Sequence, residues 1–322
     1  MSQIRVGILR GGPSNEFEVS LRSGQSILDN LPDSFLARDI LIDKKGDWFL
    51  EGRKTSPQLL ASKVDLFFNC MHGAYGEDGK VQQLLDSLGL PYTGSGAYGS
   101  AVAMNKFLAK KAFALNDLKV AQHEVFGVSD VLDEKLREVF QTWLMPVVVK
   151  PVNSGSSVGI NLAYDFIGLK RAVGDAFNHS TEVMVEEYIK GKEATCGVIE
   201  KFRGEDLYTL PVVEIVKPKT STFFDYDAKY SGESQEIVPG RFSKVERDEI
   251  QRLASLAHKV LGLRHYSRSD FIITPKGSIY ILETNTLPGL TKESLYPKSL
   301  EAIGSNLNEF SRHLVNLALK KI

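Results

Sequence analysis

The chain has 322 residues, with 39 Lys and Arg against 40 Asp and Glu, so its formal charge is −1 at neutral pH. At about 150 residues per domain, this length predicts two domains, or three smaller ones. The near-neutral balance excludes a protein held to nucleic acid or to an anionic membrane by bulk charge. An apolar content of 43% and a charged content of 25% are ordinary for a globular chain, which excludes a disordered or fibrous protein.

The two cysteines, Cys70 and Cys196, are too few and too far apart in the sequence for a disulfide framework or a zinc site. No apolar run approaches the roughly 18 residues of a membrane span. The first residues contain no charged segment followed by a long apolar stretch, so no signal peptide is expected. We therefore predict a cytoplasmic enzyme or binding protein with no nucleic-acid or membrane partner.

The first 95 residues alternate between short β-branched runs and segments in which apolar residues recur at helical spacing. The predicted strands cover residues 4–9, 64–69 and 91–93, and the predicted helices cover 19–31 and 81–88. A glycine turn follows the first strand, and a loop with three glycines at 72–79 follows the second. Such alternation indicates a parallel sheet with helical crossovers.

The middle of the chain is predicted to form a smaller α+β unit. Apolar residues at helical spacing between Met104 and Leu115 predict one helix, and Lys110 and Lys111 are interpreted as part of its solvated face. A β-branched strand at 147–151, a Gly- and Ser-rich segment and a strand at 184–189 follow.

The last third is predicted to contain two strands, a long polar loop, two helices and a hairpin. The strands cover 195–200 and 208–216, the loop about 218–239, the helices 250–261 and 303–317, and the hairpin 270–283.

The hairpin allows its strand pairing to be predicted. A two-residue turn at 276–277 pairs position i with position 553 − i, which places Asp270 opposite Glu283. Directly opposed side chains have Cβ atoms about 5 Å apart, so two carboxylates there repel unless a cation lies between them.

Period-2 alternation places Ile279, Ile281, Glu283 and Asn285 on one face of the second hairpin strand. With Asp270, the acidic and amide side chains offer hard oxygen ligands, which suit Mg²⁺ completed by water and substrate phosphates. The alternative is a solvated hairpin whose acids are unrelated.

Two glycine-rich loops are candidate binding elements. Lys150 ends a buried strand, and the small residues at 153–159 would let backbone N–H groups approach phosphate oxygens; the alternative is a flexible turn. The order of a Walker A loop is absent. In the 72–79 loop, a structural role for His72 is the alternative to a catalytic one. The glycine pair after the first strand lacks the G-x-G-x-x-G spacing, which argues against a Rossmann dehydrogenase.

Six segments, in their order along the chain, resemble the D-alanine–D-alanine ligases of the ATP-grasp superfamily, and the resemblance covers essentially the whole chain. The segments are Glu18-Val19-Ser20; His72-Gly73 with Gly76-Glu77-Asp78-Gly79; Pro91-Tyr92-Thr93-Gly94; Lys150-Pro151 with Gly155-Ser156-Ser157-Val158-Gly159; Asp225-Tyr226-Asp227-Ala228-Lys229-Tyr230; and Glu283-Thr284-Asn285-Thr286 with Pro288-Gly289.

The resemblance implies an α/β fold with α+β elements, the ATP-grasp fold, in three domains. An N-terminal substrate-binding domain is expected at 1–95, a central domain at 96–185 and a catalytic C-terminal domain at 186–322. ATP would lie between the last two domains, and a lid loop at about 218–240 would close over the site.

The implied reaction is ATP-dependent formation of D-alanyl-D-alanine for peptidoglycan precursors. The carboxylate of one D-alanine attacks the γ-phosphoryl group of ATP, and the amine of a second D-alanine attacks the resulting acylphosphate. Phosphoryl transfer requires charge neutralisation, which Mg²⁺ and lysines supply. The tetrahedral intermediate requires a donor to its oxyanion.

The nucleotide and metal roles implied by the resemblance belong to residues in the second and third predicted domains. Two Mg²⁺ ions, or Mn²⁺ in their place, would be held by Asp270, Glu283 and Asn285. The ATP phosphates would be contacted by Lys106 and Lys150, with Ser156 and Lys229 as further nucleotide contacts. The adenine site would be lined by Glu186, Glu187, Tyr188 and Ile189, and the ribose would be met by Glu193.

The amino-acid roles are also implied by the resemblance. Glu18 would accept the ammonium of the first D-alanine, with His72 nearby, and would link Ser156 and Tyr230 to close the lid. Arg268 and the backbone of Gly289 would stabilise the oxyanion. The carboxylate of the second D-alanine would be held by Ser294 and Lys229. The resemblance also implies a homodimer.

Two alternatives remain open at this point. A related ATP-grasp ligase could form a depsipeptide with D-lactate, although Tyr230 favours an amine nucleophile. A non-catalytic nucleotide-binding protein on the same scaffold predicts loss of a metal ligand or of a phosphate lysine, and all of them are present in the sequence.

Overall fold

The structure, a computed structural model, describes residues 3–130, 132–153, 155, 159–216 and 235–320. Within these residues, helices and three β-sheets alternate along the chain in a mixed α/β architecture. No helix in this part of the chain is both long enough and apolar enough to cross a membrane.

The first sheet has the strand order β4-β3-β2-β1-β5. Its strands are β1 (Ile4–Gly11), β2 (Phe35–Ile42), β3 (Trp48–Leu50), β4 (Arg53–Thr55) and β5 (Leu66–Asn69). β1 runs parallel to β2 and β5, whereas β2, β3 and β4 pair antiparallel. The predicted strands at 4–9, 64–69 and 91–93 do pair in parallel, the last through a single bridge between Phe67 and Tyr92; the sheet is not parallel throughout because of β3 and β4, which the sequence pattern did not predict. β2 and β3 are joined by a short turn in which Gly46 N–H donates to Asp43 O at 3.0 Å, and so short a connection permits only antiparallel pairing.

Helices α1 (Phe17–Asn30), α2 (Pro57–Leu60) and α3 (Lys80–Ser87) belong to this first third of the chain. α1 begins directly after the glycine turn that ends β1, and α3 follows the 72–79 loop. Both junctions therefore lie where the parallel strands β1 and β5 end, which is where an α/β sheet presents its binding loops.

The predicted helix between Met104 and Leu115 is two helices, α4 (Ala97–Met104) and α5 (Lys106–Ala114). Asn105 separates them in an extended conformation, and its side chain accepts from Leu108 N–H at 2.9 Å as the N-cap of α5. The predicted apolar face is wrong: Leu108 is 44% and Leu115 76% exposed. The buried face of α5 carries Lys106, Ala109, Lys110 and Phe113.

The second sheet has the strand order β6-β9-β7-β8, and each adjacent pair is antiparallel. Its elements are β6 (His123–Gly127), α6 (Leu132–Thr142), β7 (Val147–Pro151), β8 (Asn161–Ala163), α7 (Phe166–Phe177) and β9 (Glu182–Glu187). One face packs valines from β7 and β9 against α6 and α7. Side chains alternate between the two faces along a strand, so Val148 and Lys150 lie on the opposite face. Glu186 lies on that face too, because it pairs directly with Val148.

The third sheet has the strand order β13-β12-β10-β14-β15, with β11 paired to β10. Its strands are β10 (Lys192–Glu200), β11 (Leu207–Thr209), β12 (Val213–Val216), β13 (Gln235–Ile237), β14 (Tyr266–Ile273) and β15 (Ile279–Asn285). The remaining helices are α8 (Lys244–Val260), α9 (Leu295–Glu301) and α10 (Leu307–Lys320). α8 begins with a capping box between Ser243 and Glu246, and its apolar face covers the sheet.

The described elements do not divide cleanly at the predicted domain boundaries. β9 ends at Glu187, beyond the predicted boundary at 185. Ala109 and Phe113 of α5 pack in the core of the third sheet, although the prediction assigns α5 to the central domain. Phe310 and Leu314 of α10 share a core with β1 of the first sheet. The three-domain division stays a prediction.

Candidate functional site

The β14–β15 hairpin brings two carboxylates together as predicted, but by a different route. Asp270 pairs with Glu283. Nearer the turn, Phe271 pairs with Ile281, so the two residue numbers of each pair add up to one less than they do for Asp270 and Glu283. The loop is closed by Thr274 N–H, which donates to Ser278 O at 2.9 Å. The predicted two-residue turn is therefore wrong, and a β-bulge at Leu282 restores the predicted pairing at the acids.

The bulge also changes which side chains share a face. Ile281 lies with Phe271 in the buried core beneath the sheet, whereas Glu283 lies with Asp270 on the other face. The prediction that Ile279 and Ile281 share a face with Glu283 is wrong, because the extra residue interrupts the period-2 alternation.

Each of the two opposed carboxylates is paired with a cation. Arg268 binds Asp270 through two hydrogen bonds of 3.0 and 2.9 Å, and Thr195 Oγ1 donates to Asp270 at 2.6 Å. Burial alone would lower the pKa of Arg268, but the Asp270 carboxylate outweighs it and holds that pKa above its usual value. Lys106 Nζ lies 3.2 Å from Glu283 Oε2. Arg268 and Lys106 therefore flank the two opposed carboxylates.

These residues fit a divalent cation such as Mg²⁺ by the chemistry of their donors. Asp270 and Glu283 lie opposite each other on two paired strands, and with the Asn285 amide two residues after Glu283 they form a set of hard oxygen donors. In the described part of the chain, no group of three or more His, Cys, Asp or Glu side chains could hold a metal ion. A cation here would therefore require the amide oxygen, water or substrate oxygens to complete its coordination.

A second charged cluster, buried inside the protein, joins α5 to the second sheet. Glu186 lies between two lysines, with Lys110 Nζ 2.8 Å from Oε1 and Lys150 Nζ 2.5 Å from Oε2. The prediction that Lys110 is part of a solvated face is wrong, since its side chain is 1% exposed. Its position four residues after Lys106, on one helix face, was the signal that could have identified it.

The charges in this cluster shift one another's titration. Burial by itself would raise the pKa of Glu186, but Lys110 and Lys150 outweigh it and lower that pKa to about 2. Burial lowers the pKa of Lys110, with Glu186 opposing the change. The two lysines therefore keep the buried Glu186 carboxylate in its charged form.

The loop after β1 places Glu16, rather than Glu18, among the candidate residues. Glu18 lies exposed in the first turn of α1. A Cβ built on Gly73 would lie 2.7 Å from Glu16 Oε2, and one on Gly155 would lie 3.0 Å from it. The Glu16 carboxylate therefore lies against both glycine-rich loops, and the role predicted for Glu18 stays a prediction.

His72 is buried and central to this region. Its Nε2 lies 2.8 Å from Ser23 Oγ, and Ser23 Oγ also accepts from Leu290 N–H at 3.3 Å. Burial lowers the pKa of His72, while the nearby Glu16 carboxylate opposes that change. Ser23, on α1, therefore contacts both His72 and the loop that follows β15.

Glu77, for which the sequence predicts no role, lies buried beside Gly73 and the loop that follows β15. It is 8% exposed and accepts from Gly73 N–H at 2.6 Å and from Leu287 N–H at 3.2 Å. Burial, and then the Glu16 carboxylate, raise the pKa of Glu77 to about 8, against the effect of the two N–H donors. The Gly-Glu-Asp-Gly segment that contains Glu77 was the sequence feature that could have drawn attention to it.

The loop after β15 contains Gly289 and leads to Ser294 at the start of α9. Ser294 Oγ lies 2.8 Å from Thr291 Oγ1, and a Cβ on Gly289 would lie 2.9 Å from Ser294 Oγ. The backbone of Gly289 therefore lies close to the Ser294 hydroxyl.

The residues predicted to surround adenine and ribose lie at the end of β9 and the start of β10. Tyr188, Ile189 and Glu193 are half-buried. The side chain of Glu187 accepts from Gln122 N–H at 2.9 Å, which anchors the strand end to the neighbouring segment. The predictions for Ser156, Lys229 and Tyr230, and for the lid up to residue 234, lie outside the described residues.

Sequence comparison identifies the chain's relatives. The family described as D-ala D-ala ligase C-terminus matches residues 112–316, and that described as D-ala D-ala ligase N-terminus matches residues 51–95. The D-alanine--D-alanine ligase of Halalkalibacterium halodurans is 41% identical over 99% of this chain and 100% of its own length. That of Desulfotalea psychrophila is 38% identical over 99% and 96%.

Solved structures give the same result. The VanG D-Ala:D-Ser ligase from Enterococcus faecalis superimposes with a TM-score of 0.87 at 30% identity, covering 98% of this chain and 100% of its own. The D-alanine-D-alanine ligase from Coxiella burnetii gives 0.85 at 26% identity, covering 100% and 95%. The predicted ATP-grasp fold is confirmed by these likenesses, and the chain belongs to the D-alanine–D-alanine ligase family.

Proposed function

We propose that this protein ligates two D-alanine molecules at the expense of ATP and releases D-alanyl-D-alanine, ADP and phosphate, for use in peptidoglycan precursors. Family membership supports the reaction class. The observation that carries the site assignment is the opposed Asp270–Glu283 pair, set between Arg268 and Lys106. Both signs of charge are thereby concentrated where phosphoryl transfer requires them.

The metal would be held by Asp270, Glu283 and Asn285. We propose two Mg²⁺ ions, with Mn²⁺ as a substitute; when bound, they neutralise phosphate charge during transfer. Lys106, which pairs with Glu283, and Lys150, at the end of β7, would contact the ATP phosphates.

The nucleoside would lie at the junction of β9 and β10. Glu186, Glu187, Tyr188 and Ile189 would line the adenine site, in part through backbone groups, and Glu193 would meet the ribose. The half-buried state of the last three residues leaves each of them partly accessible to a ligand.

The first D-alanine would bind with its ammonium at Glu16, near His72. The enclosure of the Glu16 carboxylate by Gly73 and Gly155 supports this choice over the exposed Glu18. The substrate carboxylate would then attack the γ-phosphoryl group and release ADP, which gives an acylphosphate.

The second D-alanine would bind with its carboxylate at Ser294 and Lys229. Its amine attacks the acyl carbon, and Arg268 with the Gly289 N–H would stabilise the oxyanion before phosphate leaves. Ser156 and Tyr230 would link to Glu16 when the lid at about 218–240 closes. A homodimer is a further expectation from the family resemblance, and a cytoplasmic location is a further part of this proposal.

The test is ADP release measured with D-alanine, D-serine and D-lactate as the second substrate, with mass identification of each product. We expect D-alanyl-D-alanine as the main product. A higher kcat/KM for D-lactate would support the depsipeptide alternative, and ATP binding without any product would support a non-catalytic protein.

A further inference from the structure

The buried cluster of Lys110, Glu186 and Lys150 contains two cations and one anion. Their side chains are 1%, 3% and 9% exposed, so the net charge of +1 lies almost entirely within the protein. Removing an ion from water costs several kcal/mol unless a partner compensates it. One lysine is enough to neutralise the Glu186 carboxylate, so the cluster contains one lysine more than charge balance requires.

The two lysines differ in where they can go. Lys150 is the more exposed, and β7 leads from it into the glycine-rich loop that includes Gly155 and Gly159. Lys110 lies on the inner face of α5 and has no comparable access to solvent. Only Lys150 is placed to exchange its carboxylate partner for a bound phosphate.

We propose that Lys110 is a positioning residue, which neutralises Glu186 when Lys150 leaves that carboxylate for the ATP phosphates. The proposal rests on the phosphate role of Lys150 given under the proposed function. Without Lys110, Lys150 is the one counter-ion of the Glu186 carboxylate among the residues that the structure describes. If Lys150 moved to the phosphates in that variant, the buried Glu186 carboxylate would have no counter-ion. The free energy of leaving that charge unpaired would weaken the binding of ATP.

This coupling acts through phosphate and not through adenine, which provides a sharp test. Dissociation constants for Mg²⁺-ATP and for adenosine, without D-alanine, are measured for the wild-type protein and for Lys110→Met. A charge-assisted interaction is worth about 1.5–3 kcal/mol, or at least tenfold in affinity. We expect Lys110→Met to weaken ATP binding about tenfold or more while adenosine binding changes less than about twofold. The neighbouring Lys111 is exposed, and Lys111→Met is the matched control that should change neither.

A second variant keeps the proposal testable if Lys110→Met does not fold. In Lys110→Met with Glu186→Gln no carboxylate holds Lys150, so the ratio of adenosine to ATP dissociation constants should return to the wild-type value or exceed it. This ratio removes any loss of adenine contact caused by Glu186→Gln.

The outcomes separate this proposal from the one on which it rests. If Lys150→Met lowers the ratio but Lys110→Met does not, or if Lys110→Met weakens ATP and adenosine equally, the role of Lys110 is overturned. A low ratio in the double variant also overturns it. If Lys150→Met leaves the ratio unchanged, the phosphate role of Lys150 is wrong, and both proposals are overturned.

Discussion

Replacing Glu283 with Gln separates the chemistry of the opposed carboxylates from their contribution to the fold. The substitution keeps the size of the side chain but removes its charge. The ion pair that it weakens, with Lys106 at 3.2 Å, involves a Glu side chain that is 38% exposed. Lys106 is 8% exposed, but solvent reaches and screens the carboxylate, and losing its charge also relieves its repulsion with Asp270; we therefore expect the free energy of unfolding to fall by no more than about 1 kcal/mol.

The effect on activity should be far larger. Charge stabilisation by a bound metal is worth several kcal/mol in the transition state, and every 1.36 kcal/mol is a factor of ten. If Glu283→Gln removes about 3 kcal/mol of it, turnover falls by more than about 100-fold. The assay is D-alanine-dependent ADP formation at saturating Mg²⁺, together with chemical denaturation.

The matched control is Glu249→Gln on α8, where a Glu side chain that is 41% exposed pairs with Arg252 away from the hairpin. It should cost similar stability and leave turnover unchanged. Near-normal ADP formation by Glu283→Gln would refute the metal-site reasoning, and a stability loss well above that of the control would refute the argument from screening.

Three further predictions concern substrate binding, acid stability and backbone packing. Glu16→Gln should raise the KM for the first D-alanine about tenfold, whereas Glu18→Gln should change it less than twofold. Burial lowers the pKa of His265 to about 4, so the unfolded chain binds more protons below pH 6.5 and stability falls towards pH 4; His265→Asn should remove up to about 3 kcal/mol of that loss. Gly191→Ala should destabilise by about 2 kcal/mol or more, because its Cβ would lie 2.2 Å from Ile273 O.

Each of these predictions has a specific contradiction. Equal KM changes in Glu16→Gln and Glu18→Gln would remove the basis for choosing Glu16. Asn accepts the positive φ of 63° at His265 and offers an oxygen in place of the ring nitrogen that accepts from Gly94 N–H. If stability still falls with pH as steeply in His265→Asn as in the wild-type protein, His265 is not the cause of that fall. For the glycine, Gly174→Ala on α7 is the control, since nothing lies within 4 Å of its Cβ and the change should stabilise the helix by about 0.5–1 kcal/mol.

The pairing of Asp270 with Glu283 was predictable only because two departures from the assumed geometry cancel. The three-residue loop between Thr274 and Ser278 shifts the register by one, and the bulge at Leu282 shifts it back. Loop length and bulges depend on packing against the core, which a local pattern does not contain.

Lys110 and Glu16 were missed for a different reason. The spacing of Lys110 from Lys106 indicates which face of α5 it shares, but its partner Glu186 is on a strand far along the chain and could not be inferred from α5 alone. Glu16 lies only two residues from Glu18, but the start of α1 determines which of the two faces the glycine loops. When charged residues lie close together in the sequence, the local pattern alone does not show which of them faces the site.

The most direct test of the account follows the oxygen atoms of the first substrate. D-alanine labelled with ¹⁸O in both carboxylate oxygens is incubated with ATP and Mg²⁺, and the released phosphate is analysed by mass spectrometry. The account predicts that one carboxylate oxygen is transferred to each phosphate released with D-alanyl-D-alanine, because that oxygen bonds to phosphorus before the amine attacks. Unlabelled phosphate accompanying dipeptide formation would contradict the acylphosphate route.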